Sequence, residues 1–103
     1  MRILVIGANG TLGGPVALEL GRRHEVLTGG RSGAMVAVDI GDPASIAAMY
    51  EETRALDAVV CCAGEVVFAP LAEMTGEKMA VGLRSKLMGQ VNLVLIGQRY
   101  LRD

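Results

Sequence analysis

Hydrophobic positions along the chain switch between unbroken runs and runs that return every fourth residue. Residues 2–6 (Arg-Ile-Leu-Val-Ile) are apolar after one arginine, the pattern of a strand buried on both faces. Leu12, Val16 and Leu20 then recur at fourfold spacing and give one apolar helical stripe. Thr11 is placed to cap that helix, and Pro15 falls in its first turn, where a missing N–H leaves no bond unmade. Arg22 and Arg23 suit the negative end of its dipole. Residues 24–28 read as a second strand, 29–34 as a loop and 35–40 as a third strand. Asp42 followed by Pro43 predicts a capped helix over 43–53, with Ile46, Met49 and Tyr50 facing inward. Residues 58–63 form another continuous apolar run, closed by Gly64. A loop or short helical turn surrounds Pro70, and Thr75 caps a long helix predicted to reach Leu101.

Strands alternating with helices predict an α/β domain, a parallel sheet with helices on its faces. One connection is unusual. Parallel neighbours are normally joined by a crossover of a dozen or more residues, and six residues separate the second and third strands. Fully stretched, six residues span ~20 Å, about one strand length. The crossover helix is therefore expected to be missing, leaving that sheet face thinly covered.

The chain has 103 residues, which predicts a single domain over 1–103. It is 51% hydrophobic with only two tyrosines and one phenylalanine, so its core is aliphatic. A net charge of −1 and the lack of a basic patch argue against nucleic acid. No apolar run reaches the ~18 residues that span a bilayer, and no secretory leader pattern opens the chain; a cytoplasmic location is expected. Cys61 and Cys62 are adjacent, so on a strand they point to opposite faces and cannot share a metal. They are expected to be small buried apolar residues.

The first apolar run enters Gly7-Ala8-Asn9-Gly10-Thr11-Leu12-Gly13, with three glycines three residues apart. Gly7 permits a tight exit from the strand, Gly10 lets backbone approach a pyrophosphate, and Gly13 lets the helix pack close to the sheet. Backbone amides and a helix N-terminus at such a turn suit a dinucleotide. No Gly-Lys-Ser/Thr follows, which excludes a P-loop. Strand one ends in Ile6-Gly7 without an acidic residue, which argues against a receiver-like module.

Together these features resemble the short-chain dehydrogenase/reductase family over the whole chain, which matches roughly the first half of a typical member. The resemblance implies a Rossmann-like doubly wound sheet of strand order 3-2-1-4, without the usual helix between strands two and three. It implies that Gly7, Asn9, Gly10, Thr11, Leu12 and Gly13 hold the cofactor's phosphates. At the end of strand two, where an acidic residue would accept the ribose 2′-OH of NAD, stands Arg31 followed by Ser32. A guanidinium suits a 2′-phosphate instead, which favours NADP over NAD. Asp39 and Ile40 fall where the family approaches the adenine, although Asp39 could equally serve its own turn. Cys61-Cys62-Ala63-Gly64 stands at the family's Asn-Asn-Ala-Gly, so Cys62, Ala63 and Gly64 are expected beside the cofactor ribose.

The pattern also departs from the family. Members use a tyrosine and a lysine four residues later, beyond strand five, and this chain ends before that region. Tyr50 with Arg54 is no substitute, because Tyr50 falls on a packed face, and Tyr100 has no lysine after it. Lys86 replaces the asparagine of the long helix, either as a phosphate or water anchor or as a surface residue. The expected function is the NADP-binding domain of an oxidoreductase acting on a carbonyl or alcohol. The alternative is a non-catalytic NADP-binding regulatory or sensing module. Leu83, Leu87, Val91 and Val94 form one stripe on a helix apolar nearly all round. Gly82 and Gly89 would admit a neighbouring backbone, so a homo-oligomer through helix 75–101 is expected. Strand four is left as an edge.

Overall fold

The computed structural model describes residues 1–102. Its sheet contains four parallel strands in the order β3-β2-β1-β4. These are β1 (Arg2–Ile6), β2 (Glu25–Gly30), β3 (Val36–Ala37) and β4 (Ala58–Cys61). Helix α1 (Gly13–Leu20) follows β1, and α2 (Pro43–Thr53) follows β3. After β4 come a 3-10 turn at Leu71–Glu73, then α3 (Gly76–Gly82), a π-helical turn (Leu83–Leu87) and α4 (Met88–Gly97). The α/β class and the strand order are those the sequence predicts.

Strand β1 is central and buried on both faces, with Ile3, Leu4, Val5 and Ile6 no more than 3% exposed. Alternation splits these side chains between two cores. Leu4 and Ile6 join Ile46, Met49, Tyr50 and Leu93 under α2 and α4. Ile3 and Val5 pack with Val16, Ala17 and Leu20 of α1. The α1 core is the smaller one, in line with the missing crossover helix.

The short connection between β2 and β3 closes by a different route from the stretched loop that the sequence suggests. β2 runs on through Gly29 and Gly30, so those glycines are strand and not loop. β3 shrinks to two residues, which pair only with Gly29 and Gly30. The chain therefore turns back beside the end of β2 and never travels a strand's length. Met35 N–H donates to Thr28 Oγ1 at 3.0 Å and pins the turn.

Helix ends follow partly from sequence. Asp42 accepts from Ala44 N–H at 3.0 Å, and Thr75 accepts from Lys78 N–H at 3.1 Å, both as caps. Thr11 does not cap α1: the capping position belongs to Leu12, which makes no side-chain bond. The long helix also stops short of Leu101. It ends at Gly97, and Leu101 instead forms a parallel bridge with Leu56, just before β4, while Arg102 N–H donates to Leu56 O at 2.8 Å. Its sheet-facing side is Gly89, Leu93 and Gly97. Leu83, Leu87, Val91 and Val94 all face outward. Gly89 lies against Ile40 of its own chain rather than opening a path to a partner helix. Among the described residues, no helix is long and apolar enough to cross a membrane.

Tyr50 shows why α4 carries a glycine at its end. Its hydroxyl donates to Leu93 O at 2.8 Å, and its ring stacks on Tyr100 with centroids 5.3 Å apart. A Cβ on Gly97 would fall on the Tyr50 hydroxyl and ring. In an open helix, alanine for glycine gains about 1 kcal/mol, whereas overpacking a core loses roughly 1–3 kcal/mol. Gly97→Ala is therefore expected to lower stability in urea unfolding; a neutral or stabilised variant would mean that the α2–α4 contact yields.

At the far end of the sheet, Asp57 accepts Arg2 N–H at 2.7 Å and Arg102 Nη2 at 2.8 Å. The Arg2 amide first, and the Arg102 guanidinium next, hold its carboxyl below the usual range. Such a group contributes stability above its unfolded-state pKa, ~3.9, and loses it as pH falls through the lower folded-state value. Asp57→Asn should melt below the wild type at pH 7, with the gap closing in acid. A gap independent of pH would rule out the ion pair as its source.

Candidate functional site

The carboxyl ends of β1, β2 and β4 open into a groove of about 330 Å³, within the usual size of small-molecule sites. It lies where the chain leaves β1 to build first one side of the sheet and then the other, the switch point of an open α/β sheet.

Its floor is the turn after β1. Gly7 has φ +84°, a left-handed backbone that side chains rarely adopt. A Cβ there would press on the backbone of Cys62 and Ala63 at 2.9 Å. Gly7 N–H donates to Gly29 O at 2.8 Å, and Cys62 N–H to Ile6 O at 2.8 Å, so three strand ends are tied at one point. Gly13 is buried and packs onto the Gly7 carbonyl; a Cβ would occupy that oxygen's place. The amides of Gly10 and Gly14 close the turn, donating to Gly7 O and Gly10 O at 3.0 Å each. Those of Thr11, Leu12 and Gly13 have no backbone acceptor among the described residues. Free amides at a helix N-terminus suit an anion.

Gly7, Asn9, Gly10, Arg31, Ser32, Asp39, Ile40, Cys62, Ala63 and Gly64 all line the groove. Thr11, Leu12 and Gly13 do not. Gly13 lies behind the turn as a spacer, and Thr11 and Leu12 are exposed beside it. The Asn9 amide donates to Ser32 O at 3.3 Å and Gly33 O at 3.0 Å, which fixes the loop carrying Arg31. Asp39 uses one carboxylate oxygen in its own turn, accepting Gly41 N–H at 2.9 Å, while still facing the groove.

The two cysteines are half-buried rather than buried, with Cys61 the last residue of β4 and Cys62 just beyond it. Cys61 packs on the α2–α4 core and accepts from Gln90 Nε2 at 3.2 Å; Cys62 lines the groove. Lys86 is exposed, with its methylenes over Gly64. Tyr50 lies outside the groove with its hydroxyl donating to Leu93 O, and burial, with the Cys61 thiol adding to it, pushes that hydroxyl up to about 12. Among the described residues, no cluster of histidine, cysteine or carboxylate side chains could hold a metal.

Among the wall residues that sequence reasoning missed, two bring polar side chains, Glu65 and Ser85. Glu65 pairs with Arg31 at 3.4 Å, and Ser85 accepts Glu65 N–H at 2.9 Å. Glu65 directly follows the Ala63-Gly64 pair and could have been singled out from that. Ser85 could not: the π turn sets which way that part of the helix faces.

A family model for the KR domain matches residues 25–100. The chain belongs to the KR domain family. It is thereby a member of the short-chain dehydrogenases/reductases, and the match begins beyond the glycine-rich turn, so it is independent of that motif. No curated protein matches the chain. The Listeria innocua protein lin1944 is similar in structure, with TM-score 0.97 and 50% identity over 100% of this chain and 52% of its own. A Brucella melitensis ribose-5-phosphate isomerase superposes with TM-score 0.84 and 25% identity, covering 92% of this chain and 44% of that one. An NADPH-bound carbonyl reductase from chicken fatty liver gives TM-score 0.84 at 17% identity, covering 96% and 47%. The chain thus spans about half the length of these proteins. An isomerase and a reductase on one framework show that fold alone does not settle chemistry.

The glycines differ in what they guard. Alanine at Gly13 forces the helix off the strand end, so a loss near the upper end of the roughly 1–3 kcal/mol overpacking range is expected. Alanine at Gly10 meets only the Gly7 carbonyl oxygen at 3.3 Å and should lose about 1 kcal/mol or less. Chemical denaturation of both variants compares them; equal losses would deny Gly13 its spacing role.

Proposed function

We propose that this chain is the NADP(H)-binding portion of a short-chain oxidoreductase that interconverts a carbonyl and an alcohol. The single observation that carries the reading is the groove at the strand ends, with a glycine-built anion cradle on its floor and Arg31 on its wall. The KR domain match and the NADPH held by a structural neighbour support it.

The residues present fit such a cofactor. Any side chain at Gly7 or Gly13 would fill space that the turn needs. The free amides of Thr11 and Leu12, exposed beside the groove, would hold the pyrophosphate from the helix end. Arg31, with the Ser32 hydroxyl beside it, would take the 2′-phosphate. Asp39 and Ile40 would flank the adenine, and Cys62, Ala63 and Gly64 the ribose. The bound nicotinamide supplies the hydride. What this chain does is orient the cofactor against the sheet edge, and proton transfer falls to residues outside it. The outward apolar side of the π turn and α4, with Leu83, Leu87 and Val94 all more than half exposed, is the surface through which copies would associate.

Calorimetry with NADP and NAD tests the reading. Hydrogen bonds to a charged group contribute about 1.5–3 kcal/mol, so NADP should bind at least about tenfold more tightly than NAD. Arg31→Ala should remove that preference and leave NAD binding unchanged. Equal affinity for both cofactors in the wild type would refute the NADP assignment.

A further inference from the structure

Arg31 is already occupied in the free protein. Its Nη1 lies 3.4 Å from Glu65 Oε2, and the two residues come from opposite walls of the groove. Each is fixed by its own backbone anchor. Asn9 holds the carbonyls of Ser32 and Gly33 next to Arg31. Ser85 holds the Glu65 amide at 2.9 Å. The ion pair thus spans the groove mouth between the loop after β2 and the loop after β4. Its side chains are 66% and 55% exposed, so it is an easily opened contact.

We propose that Glu65 is a specificity-determining residue that competes with the cofactor's 2′-phosphate for Arg31. This rests on the NADP reading above. A phosphate monoester carries about −1.5 to −2 at neutral pH and presents three acceptor oxygens, and it can engage a guanidinium in bidentate fashion. It therefore displaces a single exposed carboxylate. It does so against a repulsion, because Glu65 stays anchored at the same wall after release. A ribose 2′-hydroxyl has no charge with which to open the pair, so NAD binds beneath an unbroken contact. Glu65 thereby lowers NADP affinity without touching NAD. The preference set by Arg31 is kept moderate, and the oxidised or reduced dinucleotide is released more readily.

Titration of the full chain with NADP and with NAD, for wild type, Glu65→Gln, Arg31→Ala and the double variant, tests this. Glu65→Gln should tighten NADP binding by about threefold to tenfold, the size expected from releasing an exposed ion pair and one like charge, with NAD changed by less than about twofold. In the Arg31→Ala background the gain should fall to less than about half, since Glu65 then has nothing to hold. Unchanged or weaker NADP binding by Glu65→Gln would overturn the competition. So would a full gain persisting without Arg31, which would make Glu65 a distant field rather than an occupant. A wild type that binds neither dinucleotide fails the NADP reading itself, and the competition with it. NADP binding by wild type with no gain in Glu65→Gln fails the competition alone.

Discussion

One backbone contact governs the arrangement: the α-carbon of Gly13 resting on the carbonyl of Gly7. With no side chain at either position, α1 starts directly against the end of β1. The same closeness brings its first free amides to the carboxyl edge of the sheet and lets Val16, Ala17 and Leu20 reach Ile3 and Val5. A methyl group at Gly13 would lift the helix, thin an already small core and draw the amides away. Packing and anion-binding geometry are thus two results of one steric condition.

The two ends of the sheet divide the work. At its amino end, Arg2, Asp57 and Arg102 tie β1, the approach to β4 and the last described residues into a charged cluster. Arg2 also reaches the carbonyls of Thr53 and Arg54, satisfying the end of α2. That end is held by polar contacts made between segments far apart in sequence. At the carboxyl end the strand tips are tied mainly by backbone bonds, with the Asn9 amide adding a tie to the loop after β2, and most other side chains there face the groove. Among the described residues, the Arg31–Glu65 pair is the salt bridge that crosses it, and it is exposed and weak.

Much of this was legible in the chain itself. The continuous apolar run at 2–6, the glycine spacing and the Asp42 and Thr75 caps each act over a few residues, so the sequence shows them directly. The groove-lining places of Asn9, Arg31, Ser32 and Cys62 followed from which strand ends they sit on. Where reading failed, a distant partner had intervened. The long helix stops at Gly97 because Leu101 finds Leu56 across the sheet edge. Its buried side runs through Gly89, Leu93 and Gly97, although Leu83, Leu87, Val91 and Val94 make the more apolar stripe, because glycine is what Ile40 and Tyr50 leave room for. Thr11 does not cap, because α1 begins at the position the Gly13 contact allows.

Local pattern alone determined that this chain builds a parallel sheet flanked by helices and puts a glycine-rich turn before its first helix, because periodicity and backbone freedom are properties of neighbouring residues. Tertiary structure alone decided how short β3 is, how the six-residue return is made, which helical face is buried, and that Glu65 stands opposite Arg31. Those outcomes depend on distances between segments dozens of residues apart, and packing and charge set such distances only once the chain has closed on itself.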